Sequence, residues 1–234
     1  MKGTKLFGAI LIGALLPATA WAGFGDSLKA KLGKAKESVS CDNDHGVEQA
    51  GKDMDGKAYN ALIAAETALE QVAEAAGKAD IAKTAKANLD KWKNPEKAPS
   101  GLDRMKEISK ASDSIQHGAD AVGGMKLDEK GKKSLLDARG QLRMAVVYVA
   151  WGAKIGEPVP ANAKDAIAAN KACSAKVKGP ADAAAGLSSL STKIKATYAK
   201  VSDAAKKAGA PEMTEQEMKE QDSKIGAPAG LASL

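Results

Sequence analysis

Apolar residues recur at every third or fourth position along most of the chain, the spacing that places them on one face of an α-helix. Alternating apolar and polar residues between hairpin turns, the mark of β-strands, are not found. The spacing predicts helices over residues 24–39, 46–76, 80–92, 102–122, 128–155, 163–177 and 187–205, and a short segment that begins at Thr214. Glycine and proline clusters separate these segments, so the predicted connections are short.

Composition supports the same interpretation, because the chain is rich in alanine, the best helix former, and sparse in β-branched residues. The sequence therefore predicts an all-α fold. Its expected form is an elongated bundle of four or five main antiparallel helices, with shorter helical segments and one disulfide bond. Small residues along the helix faces would let the helix axes approach closely.

The N-terminus has the features of a secretory signal peptide, in their usual order. Lys2 and Lys5 precede an apolar stretch of about a dozen residues, and "ATAWA" supplies the small residues of a cleavage site. The stretch is shorter than the roughly 20 residues of a spanning helix. We expect residues 1–22 to be a signal peptide cleaved after Ala22, residues 23–209 one helical bundle, and residues 210–234 a short helix with a flexible tail. The protein is then periplasmic or secreted.

Charge weighs against a nucleic-acid partner. Removing the leader lowers the formal net charge from +6 to +4, and the remaining lysines alternate with acidic residues rather than forming one basic surface. Aromatic residues make up 3% of the chain, too few for the stacking platforms of single-strand binders. We therefore interpret the lysines as solvated helix faces.

Cys41 and Cys173 are the two cysteines, and both follow the leader. An isolated pair in an exported protein favours a structural disulfide. Redox-active pairs usually have the form Cys-x-x-Cys, which is not found. The bond would connect the beginning of the chain to its last third.

The stretch "SCDNDHGVEQAGKDMDG" gathers candidate metal ligands beside Cys41. Asp42, Asp44 and His45 are weak candidates for a metal site, since the calcium-loop pattern fails at its first and last positions and the other histidine is distant. Residues of this kind are also good N-caps, and negative charge suits a helix N-terminus. We favour the capping interpretation.

Catalytic motifs are missing from the sequence. It has no Gly-x-Ser-x-Gly elbow, no His-Glu-x-x-His and no haem-attachment motif. We therefore expect a protein that is not an enzyme and has no cofactor, although carboxylates brought together by folding are invisible at this level.

Binding is the function that these observations favour. We expect an exported binding or scaffold protein of the bacterial envelope that acts through its helix faces on another envelope protein. The alternative is a carrier of an apolar ligand or a membrane-surface binder, which would use Phe24, Leu28 and Leu32 of the basic first helix. A metal-binding periplasmic protein is the second alternative. Four further residues are candidates for a pocket but more often belong to a plain core, namely Met105, Met125, Met144 and Tyr148.

Overall fold

The computed structural model describes residues 41–226 and 228, and within them helices follow one another with short connections. The helices are α1 (Val47–Ala75), α2 (Ala79–Trp92), α3 (Gly101–Val122), α4 (Glu129–Gly156), α5 (Val159–Ala169), α6 (Ser174–Lys207) and α7 (Glu215–Ile225). Two 3₁₀ turns, Pro95–Lys97 and Lys171–Cys173, precede α3 and α6. No β-strand occurs in the described residues, and the predicted all-α bundle is confirmed.

The bounds of α1 to α4 lie within two residues of those predicted from the apolar spacing, because local signals set them. Asp128 precedes α4 in extended conformation and its side chain accepts a hydrogen bond from the Gly131 amide at 2.8 Å. Such an N-cap satisfies a backbone donor that the helix itself leaves unpaired. The start near Asp128 is thereby confirmed.

Helix α1 lies at the centre of the bundle and packs against α2, α3, α4 and α6. Its buried surface extends around most of its circumference and is built largely from alanine, so that neighbouring helices approach from several sides. The fully buried larger side chains of α1 include Met54, Leu62 and Val72. Alanine thus supplies both the helix propensity and the close packing of this element.

Helix α4 has a different environment from the one its sequence suggests. Its segment 144–151 is apolar on all sides, which predicts a helix surrounded by others. In the structure Val146, Val147 and Val149 are buried, whereas Tyr148 and Trp151 are only half-buried. One stripe of α4 therefore reaches solvent, and α1 takes the central position.

The predicted sixth helix over 163–177 is wrong. Helix α5 ends at Ala169, and Asn170 is extended, with its side chain accepting a hydrogen bond from the Ala172 amide at 3.0 Å. This local hydrogen bond competes with helix continuation and opens the 3₁₀ turn that carries Cys173. The break thus lies in the middle of the predicted helix.

The predicted break between a helix over 163–177 and another over 187–205 is also wrong, since the stretch "GPADAAAG" between them lies inside the 34-residue helix α6. Pro180 occupies the second turn, where it removes one backbone hydrogen bond. Its ring packs directly on Gly51 of α1, where an added Cβ would lie 2.8 Å from Pro180 Cγ. Tertiary packing between two small surfaces therefore offsets a local helix-breaking signal.

The apolar residues of the helix predicted over 187–205 form a seam along one side of α6. Leu187, Leu190, Ile194 and Val201 are buried, and Tyr198 of the same seam is half-buried. The side chains at steps of three and four face α3 and α4, as a heptad-like repeat requires.

Gly51 provides a test of the close approach between α1 and α6. We expect Gly51→Ala to lower the free energy of unfolding by about 1–2 kcal/mol, because the rigid Pro180 ring cannot move aside without shifting a helix. Gly56→Ala is the matched control on the same helix, since nothing lies within 4 Å of its added Cβ. That control should gain about 0.5–1 kcal/mol from helix propensity. Urea unfolding of both variants measures the difference, and equal stabilities would contradict the contact.

Candidate functional site

Cys41 and Cys173 form the predicted disulfide, with their Cα atoms 4.9 Å apart and a sequence separation of 132 residues. The side chain of Cys173 is fully buried. The bond links the chain just before α1 to the turn that begins α6. It stabilises this end of the bundle and leaves no free thiol in the described part of the chain.

Gly46 is the N-cap residue of α1, and Asp44 caps the first amides of the helix from two positions before it. Its carboxylate accepts hydrogen bonds from the amides of Gly46 at 3.0 Å and Glu48 at 3.2 Å, and Lys176 Nζ lies 3.4 Å from it. His45 and Gly46 both have positive φ angles, of 53° and 75°, which turn the chain into α1. These contacts use the oxygens that a metal ion would need.

The remaining metal candidates do not converge. Asp42 and His45 are exposed, and the His45 carbonyl accepts a hydrogen bond from Asn162 at 3.2 Å. Within residues 41–226, no three His, Cys, Asp or Glu side chains are grouped in a way that would hold a metal ion. Phe24, Leu28 and Leu32, the predicted membrane or ligand contacts, lie outside the described residues, as do the predicted signal peptide and most of the C-terminal tail.

The four candidates for a pocket do not meet in one place. Met105 lines an apolar groove of about 340 Å³ between α1, α3 and α6, beside Gly51 and Pro180. Met125 is 47% exposed in the turn between α3 and α4. Met144 and Tyr148 are half-buried on α4. The structure therefore does not support a methionine-lined pocket.

A larger cleft of about 430 Å³ lies between α1, α4 and α7, toward the end of the bundle opposite the disulfide. Gln71, which lines it, is about 36 Å along α1 from Val47 at 1.5 Å per residue. We call it the Arg139 cleft, and its lining residues are Gln71, Lys133, Leu136, Asp137, Arg139, Gly140, Gln141, Pro211, Glu212, Met213, Glu217 and Gln221. Its volume is in the range typical of small-molecule sites.

Arg139 is the central residue of this cleft and is 4% exposed. Its Nη2 donates a hydrogen bond to the Pro211 carbonyl at 3.0 Å, while its Nε is buried without a hydrogen-bond partner among the described residues. Arg139 also lines a second cleft of about 320 Å³, together with Tyr198 and Ser202 of α6. Arg139 thus borders two clefts.

Arg104 shows how a buried arginine is satisfied elsewhere in the same protein. It is also 4% exposed, but its Nη1 lies 2.8 Å from the Asp55 carboxylate and its Nε donates to the Pro99 carbonyl at 2.7 Å. The ring of Tyr59 lies 5.2 Å from this guanidinium. Arg139 has no carboxylate within ion-pair distance in the described part of the chain, and its charge interacts electrostatically with the exposed carboxylate of Glu217 instead. Burying a charge without a close partner is costly.

Other unpartnered polar atoms lie around Arg139. The Oε1 atoms of Gln71 and Gln221 and the Oγ of Ser202 are buried without hydrogen-bond partners among the described residues. Gln71 and Gln221 line the Arg139 cleft, and Ser202 lines the second one. Each unsatisfied buried group costs about 1–3 kcal/mol. Their concentration at one end of the bundle is therefore a specific feature of this site.

Helix α7 and the segment before it form the cover of the cleft. Thr214 and Glu217 make a capping box, with the Thr214 amide donating to Glu217 at 2.7 Å and the Glu217 amide to Thr214 Oγ1 at 3.2 Å. These contacts, with the positive charge of Arg139, hold the pKa of Glu217 below its usual value. Gln221 lies flat on α4, where a Cβ on Gly140 would be 2.6 Å from its Nε2. The absence of a side chain at Gly140 therefore leaves the space on α4 that Gln221 of the cover occupies.

This site was not predicted from the sequence, although one signal was present. The chain contains three arginines among its many lysines, and all three, Arg104, Arg139 and Arg143, are buried. A rare arginine within the apolar part of a predicted helix marks a charge that folding must accommodate. Gln71, Gln221 and Ser202 carry no comparable signal.

None of the described helices combines the length and the hydropathy needed to span a lipid bilayer. No family model, curated protein or solved structure matches the chain.

Proposed function

We propose that this protein is an exported, non-enzymatic binding protein whose small-molecule ligand binds in the Arg139 cleft. The observation that carries the proposal is the buried guanidinium of Arg139, which has an unpartnered Nε, borders two clefts and has further unpartnered polar atoms around it. Export is the prediction of the N-terminal sequence, and the disulfide agrees with an oxidising compartment.

Burying these polar atoms without hydrogen-bond partners costs free energy. Folded proteins pair nearly all buried polar groups, and exceptions usually have a functional reason. A ligand that hydrogen-bonds to the Arg139 Nε and to the glutamine oxygens removes this cost upon binding. Part of the binding free energy therefore comes from groups that the unliganded bundle leaves unsatisfied.

Access to the site requires movement of the cover. The unpartnered atoms have almost no exposed area, so that a ligand reaches them only when α7 shifts away from α4. Among the described helices α7 packs mainly on α4, and the side chains of residues 215–220 are largely exposed. An element with so few buried contacts opens at low free-energy cost.

Native mass spectrometry tests the proposal. The full-length chain, Arg139→Lys and Arg104→Lys would each be incubated with a low-molecular-mass extract of cell envelopes and then desalted. We expect a small-molecule mass excess on the wild-type protein that Arg139→Lys loses, because lysine lacks the planar donor fork of arginine. Arg104→Lys is the matched control, since it alters the other 4%-exposed arginine and should retain the excess.

The proposal fails if the wild-type protein carries no small-molecule excess, or if Arg139→Lys carries the same excess as the wild type. A protein-sized excess on all three samples would favour instead the envelope-protein partner predicted from the sequence. Circular dichroism of each variant establishes that the helical bundle is retained.

A further inference from the structure

We infer that the ligand of the Arg139 cleft is a zwitterion that carries a carboxylate and an ammonium group, as a free amino acid does. The inference rests on the proposed function and adds the chemical class of the ligand. It follows from which hydrogen-bonding groups are unpartnered, which charges line the cleft, and how large the cleft is.

The unpartnered atoms include a hydrogen-bond donor and hydrogen-bond acceptors. Arg139 Nε is a donor attached to a positive charge, and carboxylates are the groups that guanidinium recognises best. The Oε1 atoms of Gln71 and Gln221 are acceptors, which an ammonium group satisfies with its N–H donors. A ligand with only one of these groups would leave part of the set unsatisfied.

The charges that line the cleft lead to the same ligand class. Arg139 and Lys133 are positive, whereas Asp137, Glu212 and Glu217 are negative. A simple anion would meet Arg139 but also three carboxylates, and a simple cation would meet the buried guanidinium. A zwitterion places its carboxylate toward Arg139 and its ammonium group toward the acidic side chains. Opposite charges on one ligand thus match opposite charges on the wall.

The size and remaining surface of the cleft fit a ligand with an apolar side chain. Leu136 and Met213 contribute apolar surface beside the polar groups, and the volume of about 430 Å³ is at the small end of ligand sites. Leucine is therefore a suitable probe. It has two matched analogues, namely 4-methylpentanoate, which lacks the amino group, and 3-methylbutylamine, which lacks the carboxylate.

Isothermal titration calorimetry of the full chain with these three probes tests the ligand class. We expect leucine to bind at least about tenfold more tightly than either analogue, because each analogue leaves buried groups unpaired. Arg139→Lys should weaken leucine binding by about tenfold or more, and Gln71→Met, which keeps the shape but removes the acceptor, by about fivefold. Arg104→Lys should leave the affinity unchanged and so controls for the loss of a buried arginine.

Two outcomes overturn the inference. If 4-methylpentanoate or 3-methylbutylamine binds as tightly as leucine, the ligand is a simple ion. If none of the three probes binds, the zwitterion class is wrong. Neither outcome decides the proposed function, which depends on whether Arg139→Lys loses the mass excess acquired from the envelope extract. The two proposals therefore fail separately.

Discussion

Replacing Cys41 and Cys173 together by alanine should lower the free energy of unfolding by up to about 5 kcal/mol. The disulfide closes a loop with a sequence separation of 132 residues, and constraining a loop of that size in the unfolded chain contributes about this amount in the chain-entropy model. Domains are typically stable by about 5–15 kcal/mol, so the expected loss is a large fraction of the total. Urea unfolding of the oxidised wild type and of the double variant measures the difference.

The reduced wild-type protein is the control for this experiment. It keeps both cysteine side chains, including the fully buried Cys173, and loses only the covalent bond. We expect its stability to fall close to that of the double variant. A double variant within about 1 kcal/mol of the oxidised wild type would show that the bond contributes little to stability, and would contradict the prediction.

Glu66→Gln should stabilise the protein by about 3 kcal/mol at neutral and higher pH and change little near pH 4. Glu66 lies on α1, is 3% exposed, and has an Oε2 atom without a hydrogen-bond partner among the described residues. Burial raises the pKa of Glu66 to about 7, with a further contribution from Glu107 of α3, while the Asn88 amide of α2 opposes the shift. The folded protein thus favours the neutral form of this carboxyl group.

The direction of the pH dependence follows from this shift. In the unfolded chain the pKa of Glu66 returns to about 4.5. Below this pH Glu66 is protonated in both the folded and the unfolded state, so it does not lower the free energy of unfolding. Between about pH 4.5 and 7 the unfolded state ionises first, and the free energy of unfolding falls by about 3 kcal/mol. Above pH 7 both states are ionised and the loss is complete.

Urea unfolding from pH 4 to pH 8 measures this contribution. Glutamine has nearly the same shape as glutamic acid but does not ionise, so the variant should lack the decline that Glu66 produces in the wild type. Glu74→Gln, an exposed position on the same helix, is the matched control and should keep the wild-type decline. Parallel stability curves for the wild type and Glu66→Gln would contradict the assigned origin of the pH dependence.

The helices could be predicted where local signals agreed and not where they conflicted. For α1 to α4, apolar spacing and alanine content gave nearly the same bounds, and the Asp128 cap additionally marked the start of α4. Around residues 163–187 the signals conflicted. Asn170 ended a helix that apolar spacing would have continued, and Pro180 remained inside a helix that its own chemistry would have broken. The neighbour that stabilises Pro180 is Gly51, far away in sequence.

The Arg139 cleft could not be predicted from the sequence for a related reason. Its residues come from α1, from α4, and from the stretch of chain that follows α6 and includes α7. These three parts lie far apart in sequence and meet only when the bundle is assembled. The capping box of Thr214 and Glu217 could be read locally, but its place over Arg139 could not. The rarity of arginine in the chain was the one signal available. It points to a buried charge but does not predict which residues surround that charge.

The sequence by itself determined the helical content, most helix bounds and the pairing of the two cysteines, because each depends on neighbouring residues or on there being one possible pair. Only the tertiary structure decided that α1 is central, that Pro180 is tolerated and that Arg139 is buried beside a cleft. These features depend on contacts between residues far apart in the chain. Their free energies arise from packing and desolvation, which exist only once the helices have come together.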